Sequence, residues 1–254
     1  MKYFLLFGFL ACTVACQPVT PPFGLTQGNP LAESTRTLPP FSTPRSASPT
    51  PKPTLPFTLT PLPRFFTEEF NANLNGWSIL RSSGDTAPQT SAINGFLILE
   101  MTSPFTWIYT IYGAHEYVDV QVRARFENRA GNSASVGVVC RYRELNGWYE
   151  YNVFTDGVYN VLFGQWLAEG IADYAPMLSG ESEYLKPNDA AKEIGMDCVG
   201  NTLFLYVDGK LIRKMDVTRY GLTEGKVGLA VSSLENSSAN VAVDWVEVSE
   251  APSP

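Results

Sequence analysis

Glu150 is the acid best placed to do chemistry in this 254-residue sequence. It stands in the run Trp148-Tyr149-Glu150-Tyr151-Asn152-Val153. A strand sends successive side chains to opposite faces, so Trp148, Glu150 and Asn152 share one face and Tyr149, Tyr151 and Val153 the other. Two preceding runs alternate in the same way. In one, Val118, Val120, Val122, Ala124 and Phe126 oppose Asp119, Gln121, Arg123 and Arg125. In the next, Val136, Val138, Cys140 and Tyr142 oppose Gly137, Val139, Arg141 and Arg143. Short connections make the three runs neighbours in a meander. Their polar faces are then expected to merge into one exposed patch of Asp119, Gln121, Arg123, Arg141, Trp148, Glu150 and Asn152. Two readings stay open. Charges on a solvated outer face pair across strands for roughly 0.2–1 kcal/mol each. A stacking ring beside planar donors and acceptors is also what a sugar needs, with its C–H faces and its hydroxyls.

Catalysis by carboxyl groups normally needs two of them across a glycosidic bond. Glu181 and Glu183 fall in what reads as a long loop, 164–191, and Asp244 and Glu247 fall on the final strand. Neither pair has the Glu-x-Asp-x-x-Glu spacing that puts acid and nucleophile on one strand face. Glu150 is left as the one catalytic candidate, with Asp119 two strands away, and no catalytic pair is assigned. The single histidine, His115, lies in a turn with no Ser or Cys nucleophile pattern beside it. A Ca²⁺ ion needs several oxygen ligands, which Glu69, Asn71 and Asp244 could supply if the first and last strands pair. Otherwise no cofactor is expected. Cys140 and Cys198 each occupy the apolar face of a strand, Cys198 beside Ile194 and Met196. In an oxidising compartment that arrangement favours a disulfide over two buried thiols. No Cys-x-x-Cys redox motif occurs.

The elements that must position these residues are strands. Candidate strands run over 95–101, 106–112, 117–126, 135–143, 147–154, 157–163, 192–199, 202–207, 211–216, 226–232 and 240–248. Asp156-Gly157, Asp208-Gly209 and Glu224-Gly225 mark turns. No twelve-residue window has helical periodicity. Some eleven strands in residues 65–249 predict an all-β fold, a two-sheet antiparallel jelly-roll sandwich. The charged fraction of 17% and aromatic fraction of 13% suit such a globule, and the formal charge of −7 argues against nucleic acid as a partner.

Ahead of the domain, Lys2 and the apolar stretch Tyr3 to Ala11 read as an export signal, too short to span a bilayer. Thr13-Val14-Ala15-Cys16 resembles a bacterial lipobox with Thr13 where Leu is usual, which makes Cys16 the expected lipidation site and Cys12 the second choice. A plain secretory signal cleaved nearby is the alternative. Residues 1–16 are thus read as a lipoprotein signal peptide, and no other segment could cross a membrane. Residues 17–64 hold 13 of the 19 prolines, mixed with Thr and Ser, and read as a disordered, extended linker. Residues 250–254 are a short tail. The chain is expected outside the cytoplasm, attached to the membrane only through lipid. Its oligomeric state is left open.

Glu69-Phe70, Gly76-Trp77, "GVVCRYRELNGWYEYNVFTDGVYNV", "MDCVGNTLFLYVDGKLI", "GKVGLAVSS" and "VAVDWVEV" together resemble bacterial concanavalin A-like lectin/glucanase domains. They are most similar to the laminin-G-like and keto-disaccharide-hydrolase-like branches. The resemblance covers nearly all of 65–249. It implies a jelly roll with one concave sheet on which relatives bind glycans, and a bridge between a Cys before the Arg and one in the "DC-G" strand, here Cys140 and Cys198. In the hydrolase-like branch an Arg and a Glu-x-Gln line the concavity; Arg141, Glu150 and Asn152 stand at comparable positions, with Asn152 replacing Gln. The family-16 glycosidase signature is absent. What the resemblance implies is therefore a carbohydrate-binding domain, with a structural or adhesion module or a glycan hydrolase as alternatives, since a fold of this kind hosts all three.

Overall fold

The computed structural model describes residues 61–129, 131, 133–186, 191–235 and 238–252. The export signal, Cys12, Cys16 and the linker up to residue 60 lie outside them. Fifteen strands account for the described chain: β1 (Phe66–Glu68), β2 (Trp77–Ser82), β3 (Gln89–Ile93), β4 (Phe96–Met101), β5 (Trp107–Tyr117), β6 (Val120–Asn128), β7 (Ala134–Arg143) and β8 (Gly147–Phe154) lead into a long hairpin of β9 (Val158–Ala168) and β10 (Ile171–Glu181). β11 (Ala191–Val199), β12 (Thr202–Val207), β13 (Lys210–Asp216), β14 (Gly225–Ser233) and β15 (Ala239–Ser249) follow, with one 3-10 turn at Thr218–Tyr220.

Two antiparallel sheets form a sandwich. One has the order β13-β12-β11-β6-β15-β4-β3, with β1 also paired to β15; the other has the order β10-β9-β8-β7-β14-β5-β2. The expected meander is corrected here. β7 and β8 pair with each other, but β6 lies in the opposite sheet, between β11 and β15. β6 and β7, consecutive in sequence, therefore belong to different sheets rather than to one hairpin. The expected loop 164–191 is corrected as well, because most of it is the outer half of β9 together with β10.

The main core lies between the sheets. Val120, Val122, Ala124 and Phe126 of β6 face Val136, Val138 and Cys140 of β7 and Tyr149, Tyr151 and Val153 of β8, all buried. These are the apolar faces that the alternation marks. Cys140 and Cys198 join the sheets by a disulfide from β7 to β11, with their Cα atoms 6.8 Å apart. The stretch just before β1 also packs on the domain. Tyr112 donates to Pro63 O at 2.7 Å and Tyr117 to Arg64 O at 2.6 Å, while the Arg64 guanidinium lies over the Tyr117 ring.

Candidate functional site

β8 presents Trp148, Glu150 and Asn152 on the face of its sheet turned away from the sandwich core, as alternation requires. Register sets their neighbours: Glu150 lies opposite Val139 of β7 and Leu162 of β9, and Asn152 lies between Gly137 and Asn160. Two glycines make the layer possible. A Cβ at Gly164 would collide with the Trp148 indole, and one at Gly137 would collide with the Asn152 amide, so both large side chains lie flat over their neighbours.

The expected exposure of this patch is overturned. Trp148 and Glu150 are both 0% exposed, and Asn152 is also buried. Trp148 belongs to a second, smaller core with Tyr109, Ile111, Val139, Tyr142 and Ala230. Its ring lies 5.2 Å from Tyr109, 5.5 Å from Tyr142 and 5.3 Å from Trp166, centroid to centroid. The cover comes from the β9–β10 hairpin. Trp166 and Tyr174 project from it onto this face, and its tip reaches the opposite edge of the same sheet, where Ser83 N donates to Gly170 O at 3.2 Å. The sheet therefore curls until its two edges meet at one corner.

Within the curl, Glu150 is held by neutral donors. Oε2 accepts from Tyr109 OH and from Trp148 Nε1, each at 2.9 Å, and Oε1 accepts from Asn152 Nδ2 at 2.8 Å. Tyr109 and Tyr174 share a hydroxyl–hydroxyl bond of 2.7 Å. Burial raises the Glu150 pKa from its ordinary value, and the bonds from Trp148, Asn152 and Tyr109 oppose that rise without a cation to assist them. Burial first, and then the Glu150 charge, push the Tyr109 and Tyr174 hydroxyls upward. Above this buried layer Trp107, Trp166 and Tyr174 are only half-buried. Trp107 and Tyr174 stack at 5.6 Å and 27°.

Arg141 is not part of this face, which corrects its expected role. The β7 ladder shifts register between Cys140 and Arg143, and Arg141 takes φ 53°. Such a bulge changes the phase of alternation by one residue. Tyr142 is thereby delivered to the outer face, where its hydroxyl accepts from Trp166 Nε1 at 2.9 Å. The Arg141 side chain, 1% exposed, turns instead to the end of the sandwich. There it donates to Leu222 O at 2.6 Å, Val118 O at 3.2 Å and Gly200 O at 2.5 Å. Its pKa is lowered by burial, with Tyr149 and Asp119 working against that. Arg141 is a clamp on three loops.

Asp119, Gln121 and Arg123 are also separated from Glu150, following β6 into the other sheet. Asp119 accepts from Gly200 N at 2.8 Å; Gln121 donates to Asp197 at 2.9 Å; Arg123 lies 4.6 Å over the Tyr206 ring and pairs with Asp197 at 3.9 Å. The first and last strands do pair, β1 with β15. Even so, Glu69 accepts from Asn71 at 3.2 Å while Asp244 pairs with Arg125 at 3.5 Å. Among the described residues no group of three or more His, Cys, Asp or Glu is close enough to hold a metal. His115 Nε2 bonds Leu62 O at 2.9 Å. Glu181 and Glu183 line, with Asp156, Ser182 and Leu185, an open cleft of about 450 Å³. Trp107, Tyr109, Trp166 and Tyr174 are the site residues that the sequence reading missed. The signal for the latter two was the Glu169-Gly170 turn between two runs of mixed apolar residues, with Gly170 at φ 72°.

The chain matches no protein-family model and no curated protein. Solved structures do match its fold. A β-glucanase from Bacillus licheniformis is 14% identical with a TM-score of 0.52, over 74% of this chain and 98% of that one. A protein of unknown function with a galectin-like fold from Bacillus subtilis is 11% identical with a TM-score of 0.55, over 74% and 96%. A lichenase, a prokaryotic β-1,3-1,4-glucanase derived from a mouse hindgut metagenome, is 11% identical with a TM-score of 0.52, over 74% and 99%. Two seven-to-eight-stranded antiparallel sheets, one of them curled over an aromatic face, give the described domain a jelly-roll sandwich fold, similar to that of these β-glucanases.

Proposed function

We propose that this domain binds glycans on the curled face of its seven-stranded sheet. One observation carries the reading: Trp107, Trp166 and Tyr174 form a half-buried aromatic tier resting on a buried, hydrogen-bonded layer around Glu150. Rings held flat at low entropic cost are efficient surfaces for the apolar faces of sugars. The fold shared with β-glucanases makes β-glucans the first ligands to try. Lipid attachment at Cys16 and an extended 17–60 stalk complete the proposal, placing the domain outside the cytoplasm at a membrane surface.

A glycan-array screen of the full chain beside its Trp107→Ala variant tests the binding reading. Binding by the parent that is lost in the variant is expected; a parent that retains no saccharide at all refutes it. A Cys16→Ser variant recovered in the soluble exported fraction would support the anchor, and one still in the membrane fraction would refute it. Hydrolysis is the weaker reading, since the hydrogen-bond partners of Glu150 are Tyr109, Trp148 and Asn152 and no second carboxyl group among the described residues joins the network. A structural or adhesive module is favoured by one feature, the hairpin that covers the Glu150 layer.

A further inference from the structure

We propose that the β9–β10 hairpin is a displaceable cover, and that the Glu150 layer beneath it holds an uncharged sugar unit once the hairpin lifts. This rests on the glycan-binding reading above and takes its site one layer deeper, beneath Trp166 and Tyr174, which move with the hairpin while Trp107 stays on β5. The hairpin is kept down by ring contacts of Trp166 with Tyr109 and Trp148 and of Tyr174 with Trp107 and Trp148, together with polar ties: Ser83 N to Gly170 O at 3.2 Å, Trp166 Nε1 to Tyr142 OH at 2.9 Å, and Tyr174 OH with Tyr109 OH at 2.7 Å. Water or sugar hydroxyls can replace each of these bonds. A natural bending point lies at the base. The β10 ladder shifts register between Pro176 and Leu178, and Pro176 has no N–H to give to the ladder; Gly164 lies opposite Tyr174, two pairs further out. The outward side of the tip is apolar and unburied, with Leu167 67% and Ile171 56% exposed.

The layer under the hairpin is polar and incomplete. Asn152 Nδ2 spends its two hydrogens on Glu150 Oε1 at 2.8 Å and Asn160 Oδ1 at 3.1 Å. Its Oδ1 is buried without a donor. A buried acceptor left unmet is costly, and an incoming hydroxyl would satisfy it. The charge of the layer selects the ligand class. Glu150 is surrounded by Tyr109, Trp148, Asn152 and Tyr174, none of them cationic, so a uronic or sulfated sugar would meet an uncompensated carboxylate. A neutral sugar brings hydroxyl donors for Glu150 and Asn152 and a C–H face for Trp148 and Tyr109.

The test locks the hairpin. The full chain with Ser83→Cys and Gly170→Cys is titrated with neutral cello-, laminari-, xylo- and fructo-oligosaccharides and with oligogalacturonate. The titration is run before and after mild reduction that leaves the buried Cys140–Cys198 bond intact by mass. The expected result is that a neutral oligomer binds the reduced form and the wild type, and that the locked form binds at least about tenfold more weakly because its competent state is depopulated. Equal binding by locked and reduced forms overturns the cover while leaving the glycan reading standing, and tighter binding of oligogalacturonate overturns the ligand class. If no saccharide binds even the wild type, the glycan reading falls. Amide exchange then decides the cover alone: faster exchange over residues 165–175 than over β7 and β8 supports it, and equal protection overturns it. Tyr174→Phe, which removes a single tie, should speed that exchange, and it serves if the cysteine pair does not fold.

Discussion

Replacing Trp148 by alanine should destabilise the domain severely. Its indole is 0% exposed and packed among Tyr109, Tyr142 and Trp166, so truncation forfeits its burial and leaves a cavity, about 3–5 kcal/mol for a Trp or Phe in a core. Gly164, over which the ring lies, has no side chain to fill the space. Glu150 Oε2 also loses one of its two donors in a buried site, which adds about 1–3 kcal/mol. The two losses share one location and will not sum fully, so about 4–6 kcal/mol is expected. Against a typical total of about 5–15 kcal/mol that is a large fraction. Trp148→Phe keeps one six-membered ring and loses the pyrrole half of the indole with its Nε1–H, so an intermediate loss of about 2–4 kcal/mol is expected. Urea unfolding of both variants measures this through the midpoint, provided the slope is unchanged. An alanine variant within about 1 kcal/mol of the parent, as scattered surface substitutions are, would refute burial of this face and the cover that creates it.

Arg141→Ala should cost at least about 2–3 kcal/mol in the same assay, because the carbonyls of Val118, Gly200 and Leu222 lose a buried charged donor. Saccharide binding by the folded fraction should be unaffected; lost binding at unchanged stability would return Arg141 to the site. The disulfide closes a separation of 58 residues, and the Cys140→Ser, Cys198→Ser double variant should lose about 4 kcal/mol by loop entropy, while unchanged stability would show that the bridge is not formed. Glu150 gives a pH signature. Its folded pKa is raised above the ordinary 4.5, so the folded state binds more protons than the unfolded one and stability falls as pH rises from about 4.5 through the elevated folded value. Glu150→Gln should flatten that descent in unfolding midpoints measured across the range, and an identical slope in both proteins would exclude Glu150 as its source.

Alternation alone reads correctly which side chains of β8 face the sandwich core, because Tyr149, Tyr151 and Val153 alternate without interruption with Trp148, Glu150 and Asn152. It says nothing about what lies above the second face. Burial there depends on a hairpin from another part of the chain, and Gly164, Pro176 and two register shifts blur that hairpin's own alternation. Arg141 fails for a related reason. A single extra residue in β7 reverses the phase beyond it, and the sequence on both sides still alternates. The Asp119–Gln121–Arg123 face is read correctly as a face and assigned to the wrong sheet, since a short connection is compatible with either a hairpin or a crossing between layers. β1, β2 and β3 are short edge pieces with too few alternations to register. The Cys140–Cys198 pairing was legible because the β7 alternation runs without a break up to Cys140, the last residue before the bulge, and Cys198 lies on an unshifted stretch of β11.

The order of strands also has a consequence for how the molecule is made. β14 lies in the interior of one sheet, between β7 and β5, and β15 lies in the interior of the other, between β6 and β4, with β1 on it as well. The first strand thus pairs with the fifteenth, Phe66 with Val248. A chain emerging from its N-terminal end therefore builds hairpins such as β7–β8 and β9–β10 early but can complete neither sheet until β14 and β15 arrive. Until then β5 and β7, and β4 and β6, each present an open edge to one another across an empty lane. Folding governed by such distant pairings is slow and exposes unpaired strands while it waits. Any truncation that removes β14 and β15 would remove the centre of both sheets at once.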